Sequence, residues 1–566
     1  MTSFDYLQIA LLLGALVALT PPLGRFMARV FQGERTWLST VVGPLERLSY
    51  RVGGVDPSGD MRWTRYAGAL LIFNLIGFVV VFGLQMLQQF LPLNPQALPN
   101  VSWHSSFNTA VSFVTNTNWQ GYAGETTMSY LTQMAGLAVQ NFVSAATGMA
   151  VVLALIRGIT RKSMVGIGNF WVDMVRTTLY VLLPLAVLWT LVLASQGTVQ
   201  TFDAYQTVTT LEGAEQTIPL GPAASQIAIK QLGTNGGGYF NANSAVPFEN
   251  PTPLSNWFQA LAILLIPAAS VYMFGVMSGS RRHAWIIYAA MLILLVAGLT
   301  LSLYSEFSSA HPQLASGAGP IYEGKETRFG VANSVIWSTF TSAASNGSVN
   351  AMHSSLTPLA GGVAMFNIML GEIIFGGVGA GLYGMLLLVL LTVFLAGLMV
   401  GRTPEYFGKK IESSEIKMVI LAIIAPAFAI LVGSAVSAVA PSGLSSLANR
   451  GPHGLSELLY AFASAAGNNG SAFAGLNANT PWYNILLGIA MLIGRFAVIV
   501  PALAVAGSLV IKKSSPPSPG TFSTDSGMFL ILLLGVILIV GALTFFPALT
   551  LGPIVEHFLM LDGRTF

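Results

Sequence analysis

The chain contains no cysteine, which excludes a disulfide framework and a thiolate metal site. Charge is scarce as well: 8% of the 566 residues, against about 25% in an average soluble domain. With 54% hydrophobic residues, that scarcity excludes an ordinary soluble enzyme. The formal net charge of +3 is too small to suggest a nucleic-acid partner, and the basic residues sit in short loops rather than on one face. Six histidines show no H-E-x-x-H or similar spacing, which argues against zinc. No G-x-x-x-x-G-K-[ST] phosphate loop is present; the stretch from Gly401 to Lys409 comes near, but its glycines are too far apart and no hydroxyl follows the lysines.

Long apolar runs are abundant. Ten are read as membrane spans: 4–24, 66–90, 128–156, 171–195, 256–278, 284–305, 356–401, 418–440, 482–511 and 528–555. The predicted class is an all-α polytopic membrane protein. The run at 6–19 lacks a basic leader region and a small-residue cleavage site, so a retained first span is expected. The seventh run is too long for one straight crossing and holds Gly371, Gly376, Gly377, Gly379, Gly381 and Gly384, which predicts a broken helix. Lysine and arginine concentrate on cytoplasmic loops. One set of loops carries Arg25, Arg29, Arg35, Arg47, Arg51, Arg62, Arg65, Arg157, Arg161, Lys162, Arg281, Arg282, Arg402, Lys409, Lys410, Lys417, Lys512 and Lys513, with Arg176 nearby; the opposite set carries Lys230, Lys325, Arg328, Arg450 and Arg564. This asymmetry predicts both termini on the outer side.

Four polar turns interrupt the apolar pattern, and all fall on that outer side. Their cores are Asn116-Thr117-Asn118, Thr234-Asn235-Gly236, Ser345-Asn346-Gly347 and Asn468-Asn469-Gly470. A short helix is predicted before each, over 105–113, 223–231, 334–341 and 455–463, and a long span follows. The predicted organisation is a first span and cytoplasmic loop (1–65), four repeats of span, pore helix and span (66–157, 171–278, 284–401, 418–511), and a tenth span with an outer tail (528–566). Each repeat begins on the same side, so a pseudo-fourfold axis along the membrane normal relates them. Non-helical polar backbone at membrane depth survives only where it is buried in protein or lines a cavity. Potassium filters use rings of backbone carbonyls, and glycine and asparagine tolerate the dihedrals required. The four cores hold no carboxylate, whereas calcium or magnesium sites use several. The pattern therefore favours a large monovalent cation. The competing reading is ordinary surface loops, weakened by four matching placements. Asn346-Gly347-Ser348 and Asn469-Gly470-Ser471 also match the N-x-S glycosylation pattern, which a filter position would exclude.

The stretches VSFVTNTNWQGYAGETT (111–127), LGTNGGGYFNANSAVPFENPT (232–252), GEIIFGGVGAGLYGM (371–385), GRTPEYFGKKI (401–411) and NNGSAFAGLNANTPWYN (468–484) carry a resemblance to a known family. Over essentially its whole length the chain resembles KdpA, the potassium-binding subunits of bacterial Kdp potassium-transporting ATPases, within the superfamily of potassium transporters. The resemblance implies a multi-pass protein of the bacterial inner membrane that takes potassium from outside through a filter. ATP hydrolysis would belong to the P-type subunit KdpB, with KdpC and KdpF completing the complex and the ion passing sideways through an intramembrane tunnel to KdpB. The chain has no D-K-T-G phosphorylation motif, in keeping with a non-catalytic subunit that binds no nucleotide. The resemblance implies filter carbonyls chiefly from Asn116, Thr234, Ser345 and Asn468, neighbours at Thr117, Asn118, Asn235, Gly236, Asn346, Gly347, Asn469 and Gly470, and support from Gln120.

Two ionisable residues are predicted inside spans, Glu372 and Arg495, and such residues are functional candidates by default. Arg495 below a filter would oppose leakage; Glu372 would attract an arriving ion; and the segment around Gly376, Gly377 and Gly379 would act as a gate. The alternative is a structural Glu372–Arg495 ion pair. His104, His353 and His453 are read as structural or exposed rather than as ligands. The basic loop 402–417 is read as a positive-inside anchor that could also meet KdpB or lipid, and 512–525 as a flexible connector. A stand-alone channel or ion-coupled transporter, or a scaffold for partners, remain as alternatives.

Overall fold

The computed structural model describes residues 1–308, 320–399, 401, 403–516 and 522–564; Arg402 of the basic loop, with Pro517 and Pro519 of the connector, lies outside them. The described residues are all-α apart from two short hairpins, Gln206–Thr209 with Glu215–Ile218 and Glu405–Tyr406 with Lys409–Lys410. Ten helices among the described residues are long and apolar enough to cross a membrane: Ser3–Phe31, Trp63–Phe90, Thr132–Thr160, Phe170–Ser195, Pro253–Met277, Arg281–Phe307, Ala380–Met399, Ser413–Val439, Pro481–Ile511 and Gly527–Leu561.

Burial alternates along the chain. In spans three, five, seven and nine, 83, 89, 67 and 50% of the most apolar stretch is buried, against 22, 39, 44 and 33% in spans two, four, six and eight. The second span of each repeat therefore lines the interior and the first faces outward. A helix apolar on all sides finds its place in either setting, so composition alone does not separate the two.

The four predicted short helices form at Trp103–Val114, Ala223–Leu232, Gly330–Ala343 and Gly451–Ala466. None is long enough to span. Each is buried along most of its length despite its serine, threonine and asparagine content.

The end of the first span differs from the sequence reading. The first span does not stop at 24 but runs through Pro21 and Pro22 to Phe31. It lies against the fifth span so closely that a Cβ on Gly24 would sit 2.7 Å from the Ala269 carbonyl, and Arg25 donates to the Tyr272 hydroxyl at 3.2 Å. Tertiary contact thus carries the helix past its prolines and first arginine. The seventh span is broken as predicted: Pro358–Met369 and Ala380–Met399 flank a bend in which Gly371, Glu372, Phe375 and Gly379 have φ of 86°, 61°, 47° and 80°. The fourth span carries a π segment at Thr177–Leu182, just before Pro184, which has no N–H for the carbonyl four residues back.

Within the basic loop read as a positive-inside anchor, Lys409 turns inward. It is buried, and its ammonium donates to the carbonyls of Gly158 (2.7 Å), Leu509 (2.8 Å) and Arg161, closing the ends of spans three and nine.

Candidate ion filter

Each short helix ends the same way. The residue after the helix cap is left-handed in all four turns, with φ of 65° at Asn116, 50° at Thr234, 55° at Ser345 and 51° at Asn468. The next amide then reaches back five residues: Thr117 N–H to the Ser112 carbonyl at 2.9 Å, Asn235 to Lys230 at 2.8 Å, Asn346 to Thr341 at 3.0 Å and Asn469 to Ser464 at 2.8 Å. This is the Schellman closure, which favours glycine at the left-handed position. None of the four is glycine; asparagine tolerates this conformation, so the strain falls on Thr234 and Ser345, at a cost of order 1–3 kcal/mol each. The compensation is visible around them. Asn116 Oδ1 accepts from Asn235 (2.6 Å) and Ser144 (2.7 Å), and Asn468 Nδ2 donates to Thr117 Oγ1 (2.9 Å) and the Met491 carbonyl (3.1 Å). Thr234 Oγ1 accepts from the Val378 N–H at 2.7 Å, and Ser345 Oγ donates to the Asn468 carbonyl at 2.8 Å.

These bonds close a ring. The first turn meets the second through Asn116 Nδ2 on the Thr234 carbonyl (3.0 Å). The second meets the third through Ser348 Oγ on Gln231 Oε1 (3.1 Å). The third meets the fourth through Asn469 Nδ2 on the Thr341 carbonyl (2.9 Å), and the fourth returns to the first through Asn468 and Thr117. Gln120 adds a reciprocal pair, donating to the Gly238 carbonyl (3.0 Å) and accepting from the Gly238 N–H (2.8 Å).

The centre of the ring is defined by what it excludes. A Cβ on Gly236 would lie 2.4 Å from the Thr117 carbonyl oxygen, 2.8 Å from that of Asn469 and 3.0 Å from that of Asn346. Oxygens from three other turns thus converge on one point at the second. A Cβ on Gly347 would meet the Asn469 oxygen at 2.0 Å, and one on Gly470 the Thr117 oxygen at 2.1 Å. The convergent oxygens belong to the middle residues of the first, third and fourth cores. The Thr234 and Asn468 carbonyls, expected from the resemblance to face the ion, each accept a hydrogen bond, from Asn116 and Ser345. The second turn also departs from the others: its left-handed glycine is Gly237 (φ 69°), one residue later than Asn118, Gly347 and Gly470. The C-terminal ends of all four short helices abut these turns, and the negative end of a helix dipole favours a cation.

Asn346 and Asn469 are fully buried. Asn346 Oδ1 accepts from the Ser348 N–H at 3.1 Å and from its hydroxyl; Asn469 Oδ1 accepts from the Ser471 N–H at 3.1 Å and Oγ at 2.5 Å. The two N-x-S matches are therefore Asx turns that shape the ring, with no room for a glycan.

Two cavities flank the ring. Outside it, a cavity of about 810 Å³ draws its lining from all four repeats, including Gln120, Gly237, Gly347 and Gly470. On the inner side, a cavity of about 100 Å³ begins at Gly467, Asn468 and Glu372 and runs between spans eight and ten, at Pro426 and Val540. The broken segment lies beneath the ring, where Val378 bonds Thr234 and a Cβ on Gly379 would meet the Gly148 carbonyl at 2.1 Å. Gly376 and Gly377 face Glu372 within this bend. Glu372 and Arg495 are both buried and form no direct ion pair. Arg495 Nη2 instead donates to the carbonyl of Ser144 at 3.2 Å, the residue whose hydroxyl donates to Asn116 of the first turn, while Arg495 Nε and Glu372 Oε1 are buried without hydrogen-bond partners.

The sequence reading missed a buried pair behind the second turn. Lys230, counted as an outer-loop charge, is fully buried in the second short helix; it donates to Glu249 Oε2 at 2.6 Å and to the Gly237 carbonyl at 3.1 Å, and Glu249 Oε1 accepts from Phe240 N–H at 2.8 Å. The available signal was a lone lysine inside a helix predicted to dip into the protein. Glu306 and Lys325 form a similar buried pair at 3.0 Å. The histidines are structural: His104 meets Asn484, His353 meets Tyr460 and His453 meets Glu556, at 2.8, 2.8 and 2.7 Å.

The family profile described as potassium-transporting ATPase A subunit, KdpA, matches residues 10–558. The potassium-transporting ATPase potassium-binding subunit of Rhodospirillum centenum is 58% identical, covering 100% of this chain and 99% of that protein. The proteins of the same description from Sorangium cellulosum and Methylococcus capsulatus are 57% and 54% identical, covering 98% and 100% of this chain and 99% and 100% of their own lengths. Among solved structures, the crystal structure of the potassium transporter TrkH from Vibrio parahaemolyticus superposes with a TM-score of 0.52 at 14% identity, over 77% of this chain and 84% of that one; this likeness concerns the fold alone.

Proposed function

The chain belongs to the KdpA family of potassium-transporting ATPase A subunits, and from that premise we propose that it is the subunit that selects potassium for an ATP-driven importer. Potassium enters from outside through the larger cavity, sheds its water and is held by the carbonyls of Thr117, Asn346 and Asn469, with Asn235 as the equivalent in the second repeat. Asn118, Gly236, Gly347 and Gly470 keep the axis clear; Asn116, Thr234, Ser345, Asn468 and Gln120 hold the ring in shape. The observation that carries this reading is the convergence of three carbonyl oxygens from different repeats on the bare face of Gly236. Such a ring replaces a hydration shell without a carboxylate, which suits a monovalent cation.

Below the ring the ion turns sideways. The bend at Gly376, Gly377 and Gly379 lies under the axis, Arg495 opposes passage straight to the cytoplasm, and Glu372 draws the cation into the smaller cavity towards spans eight and ten. The ion is delivered there to the catalytic subunit KdpB; KdpC and KdpF complete the complex. This chain binds no nucleotide and performs no hydrolysis. It sits in the bacterial inner membrane with both termini outside, as the lysine and arginine distribution favours.

The test is rubidium in place of potassium in a structure of the assembled complex. Anomalous density ringed by Thr117, Asn346 and Asn469 is the expected result. Rubidium bound elsewhere, with the ring empty at saturating ion, overturns the reading. Potassium uptake into vesicles by this chain without the ATPase subunit would overturn the importer assignment and favour a stand-alone transporter.

A further inference from the structure

The helix Ser39–Gly53, which follows the first span, has an outward apolar face that covers nothing. Trp37, Val41, Leu45, Leu48 and Val52 are 76, 72, 49, 53 and 80% exposed. On the helix, Val41, Leu45, Leu48 and Val52 are spaced by four, three and four residues and form one stripe, with Trp37 just before its start. The opposite face is fastened to the protein body. Val42, Gly43 and Tyr50 are buried, and Glu46 accepts from Arg176 at 2.9 Å, Tyr180 at 2.6 Å and Tyr50 at 2.8 Å. At fifteen residues the helix is too short to span.

Charge borders the stripe. Arg47 and Arg51 are exposed on one flank. A cavity of about 450 Å³ lies between the helix and the end of the first span, lined by Arg35, Thr36, Ser39, Thr40, Arg47 and Arg176. The other cations there are neutralised, Arg29 by Glu34 and Arg176 by Glu46. Among the described residues neither Arg35 nor Arg47 is paired with an acidic group. An exposed apolar stripe with tryptophan at one end and arginines along its edge is the composition of a helix lying in a membrane interface.

We propose that Ser39–Gly53 lies in the inner leaflet, with its stripe among acyl chains and the phosphate of an anionic phospholipid seated against Arg35 and Arg47. The helix length and stripe fit a bilayer surface, and the two uncompensated guanidiniums select anionic over zwitterionic headgroups. The inner-leaflet placement rests on the orientation proposed above.

The assembled complex tests this directly, because the chain has no cysteine of its own to interfere. A nitroxide on Leu48→Cys, in nanodiscs of phosphatidylcholine and phosphatidylglycerol, is expected to collide with oxygen far more than with a water-soluble nickel chelate. Preferential collision with nickel, or with neither reagent because another subunit covers the face, overturns the proposal. Native mass spectrometry of the complex is expected to show phosphatidylglycerol retained over phosphatidylcholine, the preference falling at least about fivefold in the Arg35→Gln/Arg47→Gln variant; an unchanged preference overturns the headgroup site. An impermeant maleimide applied outside intact cells separates the two failures. Labelling of Ser49→Cys from outside refutes the orientation, whereas protection together with nickel access refutes the interfacial helix alone.

Discussion

Replacing Gly236 with alanine is the sharpest single perturbation of the ring. The new methyl would begin 2.4 Å from the Thr117 oxygen, 2.8 Å from that of Asn469 and 3.0 Å from that of Asn346. An ordinary carbon–oxygen contact is about 3.3 Å or more, so all three oxygens are too close. The nearest would have to yield by about 0.9 Å, and the methyl itself would occupy the axis. Loss of one charge-assisted contact costs about 1.5–3 kcal/mol, and each 1.4 kcal/mol is about tenfold in affinity. Half-saturation of potassium-stimulated ATPase activity in the assembled complex should therefore rise by about 10- to 100-fold. Competition by sodium and rubidium should change as well, since a displaced ring has a different size. Gly14→Ala is the control, as a Cβ there meets nothing within 4 Å. A correctly assembled Gly236→Ala complex with half-saturation within about twofold of the native value would refute the claim that the ion sits at this point.

Other outcomes follow from the surroundings of the ring. Lys230→Met leaves Glu249 charged and buried, so the melting temperature of the complex should fall by the equivalent of about 3–5 kcal/mol, and Lys230→Met/Glu249→Gln should recover much of it. Arg495→Gln should change potassium flux or apparent affinity while the complex still assembles; unchanged kinetics would count against its role below the filter. Burial would raise the Glu46 carboxyl, but hydrogen bonds from Tyr180, Arg176 and Tyr50 outweigh it and hold the group below its ordinary value of about 4.3. Its contribution to docking Ser39–Gly53 is thus complete above that value and lost as pH falls through the lowered one. A spin label on Ser49→Cys should be immobile at neutral pH and gain mobility only in acid, and Glu46→Gln should loosen it at neutral pH.

Much of the architecture was legible in the chain. Hydropathy gave the spans because a bilayer demands length and apolarity of each one separately. The four short helices were visible as brief amphipathic stretches ahead of polar turns, and the break in the seventh span as a cluster of glycines. What escaped was set by contacts between distant segments. Gly24 and Ala269 carry the first helix past its prolines, and Lys409 is drawn inward by carbonyls of spans three and nine. Lys230 looks like any outer-loop lysine until Glu249 is brought beside it.

By itself the sequence determined the class of the protein, its spans, its fourfold repetition and the residues of the four turns. Those properties are local, following from apolar length, short polar interruptions and the low steric cost of glycine and asparagine. Only the tertiary structure brought the Thr117, Asn346 and Asn469 oxygens together at Gly236. Each turn carries a left-handed non-glycine residue, and hydrogen bonds with the neighbouring turn hold it in place. The orientation of Thr117, Asn346 and Asn469 is therefore a property of the closed ring and of no single segment within it.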